Sequence, residues 1–361
     1  MSSSSVNGGR PELGTTRVAG KPGRVGAGPE GATPSPYDRP VIKQPVWTWE
    51  IPTYFYTGGL AGASAGLALL ADLRGNEVVA RRGWRVALVG SLASPALLTS
   101  DLGRPERFLY MLRVFKVTSP MSVGSWLLAA FGAATGAGWL DRELGGRLPG
   151  GRAARAAAAV FGLPLSSYTA ALVANTAVPA WHESRRLLPF LFVSGAATSA
   201  GGALTAICPP RDAAPARRLA VVGAVAELAL KEVMERRLGS LGDAYKEGKA
   251  HRFGTGAKAA VAAGSAAIAL GGRRSHTAAV AGGMMLSVGA LAARWSVFEA
   301  GVQSAANPRH TVEPQRERID AGASPGASTR RPDALAPAGH GSPGRSPAVE
   351  AGPPASEAAE G

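Results

Sequence analysis

Leu187-Leu-Pro-Phe-Leu-Phe-Val-Ser-Gly-Ala-Ala-Thr-Ser-Ala-Gly-Gly-Ala-Leu-Thr-Ala-Ile-Cys-Pro-Pro210 holds no charged side chain from end to end. As a helix rising roughly 1.5 Å per residue it crosses about 30 Å of hydrocarbon. Residues 117–140 and 156–181 are equally free of charge and at least as long. Working outward, 51–71 is a further uncharged run, and 86–100 is a shorter one that Trp84 and Arg85 extend by reaching the interface. Segment 217–238 is interrupted by Glu227, Lys231 and Glu232, 257–272 is rich in Ala, and 277–298 follows. The pattern predicts an all-α, polytopic membrane bundle of about eight transmembrane helices. Residues 1–45 and 303–361 lack apolar periodicity and are rich in Gly, Pro, Ala and Ser, so disordered tails are expected around a membrane domain at 46–302.

Bulk composition agrees once the tails are set aside. Hydrophobic residues make up 46% of the 361 and charged residues 18%. The mean hydropathy of only +0.06 is diluted by the polar ends. A net charge of +14 raises nucleic-acid binding, but the basic residues sit between apolar runs and in the tails. That placement suits anionic lipid or an acidic partner rather than nucleic acid. The arginines nearly balance between the two sides of the bundle, so the charge rule leaves orientation open. No apolar leader segment follows Met1, so the first membrane helix is expected to direct insertion into the cell membrane.

Glycines spaced by four, Gly58, Gly62 and Gly66 in the first segment and Gly132 and Gly136 in the third, predict close helix packing. Cys208 is a lone cysteine, which excludes an iron–sulfur cluster held by this chain. None of the five His falls in the centre of a predicted helix, so no haem held between histidines is expected, and no metal motif is present.

Chemistry concentrates in a few places. Tyr168 lies well inside the fourth segment, where a buried hydroxyl calls for a partner. Tyr54, near the start of the first, fits an interfacial aromatic belt as well as a binding site. Asp101 sits at the membrane end of the second segment, as a proton acceptor or as a partner of Arg104 or Arg107. Asp72 ends the first and is expected to pair with Arg74. Glu227 and Lys231 are one helical turn apart and can pair. Charges at such depth are costly, which makes a proton path the working expectation and a packing pair the alternative. Arg104, Arg107, Arg113 and Lys116 form a basic rim for an acidic partner or for lipid phosphates.

That rim belongs to the most distinctive stretch of the chain: Asp101-Leu-Gly-Arg104-Pro-Glu-Arg107-Phe-Leu-Tyr-Met-Leu-Arg113-Val-Phe-Lys116-Val-Thr-Ser119-Pro120-Met-Ser-Val-Gly124-Ser-Trp126. Pro105 suits the start of a short interfacial helix, and Ser119-Pro120 the start of the next membrane helix. The stretch resembles the membrane subunits of the NrfD/polysulfide reductase family. So do Trp47-Thr-Trp49-Glu50-Ile-Pro-Thr-Tyr54 ahead of the first helix, and Tyr168-Thr-Ala with Pro179-Ala-Trp181 around the fourth.

The resemblance implies a quinone-interacting anchor. Such subunits hold menaquinone or ubiquinone, carry no haem, and bind an iron–sulfur subunit and usually a molybdopterin catalytic subunit. Electrons pass between the partner's cluster and the quinone. By this reading Glu50, Tyr54, Asp101 and Tyr168 contact quinone, Asp72, Glu227 and Lys231 carry protons, and the basic rim docks the partner. Some members place a His ahead of helix one; 44–50 has none, and Glu50 or Tyr54 is its expected substitute. A transporter of ions or solutes and a purely structural anchor are the rival readings.

Overall fold

In the computed structural model, residues 40–320 are described. Ten α-helices follow one another: α1 (Glu50–Leu73), α2 (Glu77–Asp101), α3 (Pro120–Glu143), α4 (Gly151–Ala174), α5 (Pro179–Glu183), α6 (Leu188–Ile207), α7 (Ala214–Arg237), α8 (Gly248–Gly271), α9 (His276–Ala306) and α10 (Arg309–Asp320). A 3-10 helix at Pro105–Leu112 joins α2 to α3, and another at Gly239–Tyr245 joins α7 to α8. Eight of these helices are long, and each overlaps one of the eight segments read from the sequence. Five are long and apolar enough to cross a membrane, or six if α2 and the 3-10 helix after it form one bent span.

Length and hydropathy part company for a physical reason. More than half of α1 is buried, its Gly, Ser and Tyr facing other helices rather than lipid. It packs against α2, α4, α6 and α9 and is the hub of residues 40–315. α1 crosses α4 closely: a methyl at Gly62 would fall 2.3 Å from the Gly162 carbonyl oxygen. Gly66, Gly132 and Gly136 have nothing within 4 Å, so the expected glycine stripes act only in part as contacts.

Boundaries shift from the sequence reading where caps act. Asn76 caps α2, its side chain accepting from Val79 N at 3.1 Å, and starts that helix well before residue 86. Ser119 and Pro120 open α3 as expected. The fourth segment does not run on to Trp181. It ends at Ala174, and Pro179 opens the separate α5. α8 begins at Gly248, nine residues before the expected 257. Residues 303–306 continue α9 and α10 follows, where irregular chain is expected from 303. The expected tails at 1–39 and 321–361 lie outside the described residues.

Candidate functional site

At one end of the bundle the beginnings of α1 and α3, the end of α2 and the latter half of α4 enclose a cavity of about 330 Å³. Its walls are mostly apolar, with Ile51, Phe55, Leu92, Leu98, Leu128 and Leu172 among them. Pro95 also lines it, and having no N–H it leaves the Ser91 carbonyl without its helical bond beside the cavity. The 3-10 helix after α2, bent by 117° from that helix, closes the mouth with Phe108, Met111 and Leu112.

Three residues expected from sequence meet here: Tyr54, Asp101 and Tyr168, from three different helices, all line this cavity. Tyr54 is 2% exposed, so it is no member of an interfacial belt, and its hydroxyl has no hydrogen bond to another described residue. Tyr168 differs. Its ring lies over Gly124, where a methyl would clash with it, and its hydroxyl donates to the Pro120 carbonyl. The bond from α4 to the first residue of α3 fixes that wall.

Asp101 does not pair with Arg104 or Arg107. Its Oδ1 is 3.3 Å from the Thr48 hydroxyl, which also reaches Glu50 Oε2. Glu50 therefore stands behind Asp101, not in the cavity wall. The Thr48 hydroxyl thus sits between the two carboxylates and can donate to either. Trp47, another lining residue, stacks on Trp181 at 5.8 Å and ties the approach to α1 onto α5. Arg104, Arg107, Arg113 and Lys116 are all exposed around the mouth, Arg113 lying 5.7 Å from the ring centre of Tyr110.

Asp72 is far from this cavity, at the other end of α1. It pairs with Arg142 at 3.1 Å and Arg155 at 3.3 Å and accepts from Trp84 Nε1 at 2.9 Å, not from Arg74. Arg155 also reaches Asp141, and Arg142 reaches Glu77. This clasp binds the ends of α1, α2, α3 and α4 together.

Glu227 and Lys231 also depart from expectation, since they do not form a direct pair. Glu227 shares a buried site with Arg294 of α9, the two side chains meeting over Gly195. Thr198 lies beside the carboxylate, but its hydroxyl donates to Ser194 O, so neither Glu227 oxygen receives a hydrogen bond. Arg294 donates to Phe192 O at 2.6 Å and lies over the Phe192 ring, with Nη1 unbonded. Lys231 turns instead to Ser296 at 3.0 Å and Glu235 at 3.7 Å. Glu235 pairs with Lys258, Lys258 with Glu232, and Glu232 with Arg236. Sequence reading missed Arg294, although an Arg inside an apolar run is a signal in itself.

Among the described residues no group of His, Cys, Asp and Glu could hold a metal ion. No curated protein matches the chain. The family model for polysulphide reductase, NrfD, matches residues 40–237, more than half of the sequence and all of the cavity wall. An apolar helical bundle with this match is an integral membrane protein, and the chain belongs to the NrfD family, the membrane subunits of oxidoreductase complexes that work with other redox subunits.

Proposed function

We propose that the chain is the quinone-reactive anchor of its complex in the cell membrane, linking a partner iron–sulfur subunit to the membrane quinone pool. The observation that carries this reading is the meeting of Tyr54 and Asp101 on one mostly apolar cavity of about 330 Å³. Pockets for small redox carriers are apolar with a few placed polar groups, and this size lies within their usual range. The walls suit a quinone ring, menaquinone or ubiquinone, and the polar groups suit its two carbonyl oxygens.

A bound quinone supplies two-electron, two-proton chemistry. The residues supply donors and a proton route. Tyr54 offers an uncommitted O–H to a carbonyl oxygen. Asp101 holds a proton at the cavity wall, and Thr48 and Glu50 connect it to the exposed end of α1. Tyr168 has its hydrogen committed to Pro120, so it offers only a lone pair and acts mainly by shaping the wall. The exposed cations Arg104, Arg107, Arg113 and Lys116 surround the mouth, where an acidic face of the iron–sulfur subunit would dock. A molybdopterin catalytic subunit beyond it would hold the substrate-converting site.

The ions of α7 and α8, buried at Glu227 and Lys231, favour an additional proton route. Glu227, Lys231, Glu235, Lys258 and Glu232 form a file of alternating charge from mid-bundle towards the cavity end. Asp72 is held between two arginines and an indole, and a structural role fits it better.

The test is quinone-linked turnover in membranes holding the whole complex. Asp101→Asn is expected to slow turnover and reduce sensitivity to quinone head-group inhibitors while the complex still assembles. Normal turnover with unchanged inhibitor sensitivity in Asp101→Asn and in Tyr54→Phe would overturn the reading.

A further inference from the structure

The other end of the bundle carries a second hollow, of about 420 Å³, between α7 and α8. Three guanidinium groups edge it: Arg217 and Arg218 near the start of α7, and Arg273 just past the end of α8. Val221, Val222 and Ile268 form its walls. The stem of Arg217 lies along the end of α8, since a methyl at Gly272 would sit 3.3 Å from its Cδ.

Arg218 and Arg273 both lie near enough to Arg217 to repel it. Among the described residues none of them pairs with a carboxylate. Asp212, the nearest acid in sequence, is engaged with Arg211 at 3.4 Å. The start of α7 has no acidic residue in its first turn and no side-chain cap, so two of the cations sit where the helix dipole is already positive. This concentration of positive charge, left without a counter-ion by the protein, fits an anion with several acceptor oxygens. Guanidinium forks match phosphate oxygens in this way.

Apolar side chains on the same two helices lie uncovered nearby. Val222 and Val225 on α7 are 67% and 62% exposed, and Leu270 on α8 is 85% exposed. α8 packs mainly against α9 and only lightly against α7, which leaves the groove between α7 and α8 open. Free phosphate would make no use of such a surface, whereas a phospholipid fits both parts. We propose that the α7–α8 hollow is a binding site for an anionic phospholipid. Arg217, Arg218 and Arg273 hold its phosphodiester, and the acyl chains lie along Val222, Val225 and Leu270. The site is in the leaflet opposite the cavity of Tyr54 and Asp101 and does not depend on what that cavity binds. Arg273 and Leu270 lie beyond the family match, so the site joins matched and unmatched parts of the chain.

The experiment is native mass spectrometry of the purified full chain after exchange into nanodiscs of phosphatidylglycerol or phosphatidylcholine. The wild type is expected to retain one phosphatidylglycerol in preference to phosphatidylcholine, and excess inorganic phosphate should not release it. Arg218→Gln/Arg273→Gln should retain it on the order of 30-fold less, as two surface cations are lost. Arg217 is left in place because it also donates to Pro210 O. Val222→Trp keeps every charge but fills the groove on its lipid-facing side, and should weaken retention as well. Arg236→Gln/Lys246→Gln, with the same charge loss at the other end of the bundle, should not. Equal retention of both lipids, equal retention by all variants, or release by inorganic phosphate would each overturn the proposal.

Discussion

The cavity end of the first four long helices and the interior of the last four handle polarity in opposite ways. In α1–α4, Tyr54 and Asp101 turn towards an apolar cavity, Asp101 meeting only a threonine and Tyr54 bonding to no described residue. In α6–α9, Glu227, Arg294, Lys231 and Glu235 turn towards one another inside packed helices. The front half keeps polar atoms available at an apolar surface, as a ligand site requires. The back half keeps its charges inside packed helices, Lys231 pairing with Glu235 and Glu227 lying beside Arg294. Changes among the buried charges of the back half should therefore read out chiefly as stability, and changes at the cavity as binding.

The largest effect is expected at Arg294. Arg294→Met removes the cation beside the buried Glu227 carboxylate together with the bond to Phe192 O, and thermal or denaturant unfolding in detergent should show about 3–5 kcal/mol lost. Adding Glu227→Gln should recover more than half of that, since no charge then remains uncompensated. A neutral Arg294→Met would break the contrast between the halves.

Next comes the clasp at the far end of α1–α4. Asp72→Asn weakens charged bonds to Arg142 and Arg155 and should cost about 1.5–3 kcal/mol by the same measurement. Binding of a quinone head-group analogue should stay unchanged in this variant, because the clasp is remote from the cavity. Weakened binding at unchanged stability would return Asp72 to the site.

Tyr54→Phe should do the reverse. Unfolding stability should move by less than about 0.5 kcal/mol, because its hydroxyl has no partner to lose. Analogue affinity should fall about 3- to 10-fold, the worth of one neutral hydrogen bond. Tyr168→Phe sharpens the comparison within the cavity. It removes the bond to Pro120 and should cost about 1 kcal/mol in stability. Its effect on analogue affinity should be the smallest of the series, readable by isothermal titration beside Tyr54→Phe.

Much of the architecture was legible because a membrane helix is a local property. Residues 187–210 announce a span by composition alone, and Ser119-Pro120 announce a helix start. Tyr54, Asp101 and Tyr168 were legible as polar groups at or within apolar segments. Partner choice was not legible, because it is decided between helices. Asp72 lies two residues from Arg74, yet it pairs with arginines of α3 and α4 whose distance along the chain hides them. Glu227 and Lys231 share a helical face, but the carboxylate faces Arg294 of α9. The end of the fourth segment was misplaced because Pro179 breaks an apolar run that hydropathy alone reads as continuous.

The central claim is that the cavity of Tyr54 and Asp101 receives a quinone ring. The most direct measurement is titration of the purified chain with a quinone head-group analogue, followed by quenching of tryptophan fluorescence, since Trp47 lines the cavity. Saturable quenching by the wild type, weakened at least about tenfold in Tyr54→Phe/Asp101→Asn if two hydrogen bonds are lost, is the predicted result. Equal affinity in that double variant, or no saturable quenching by the wild type, would contradict it.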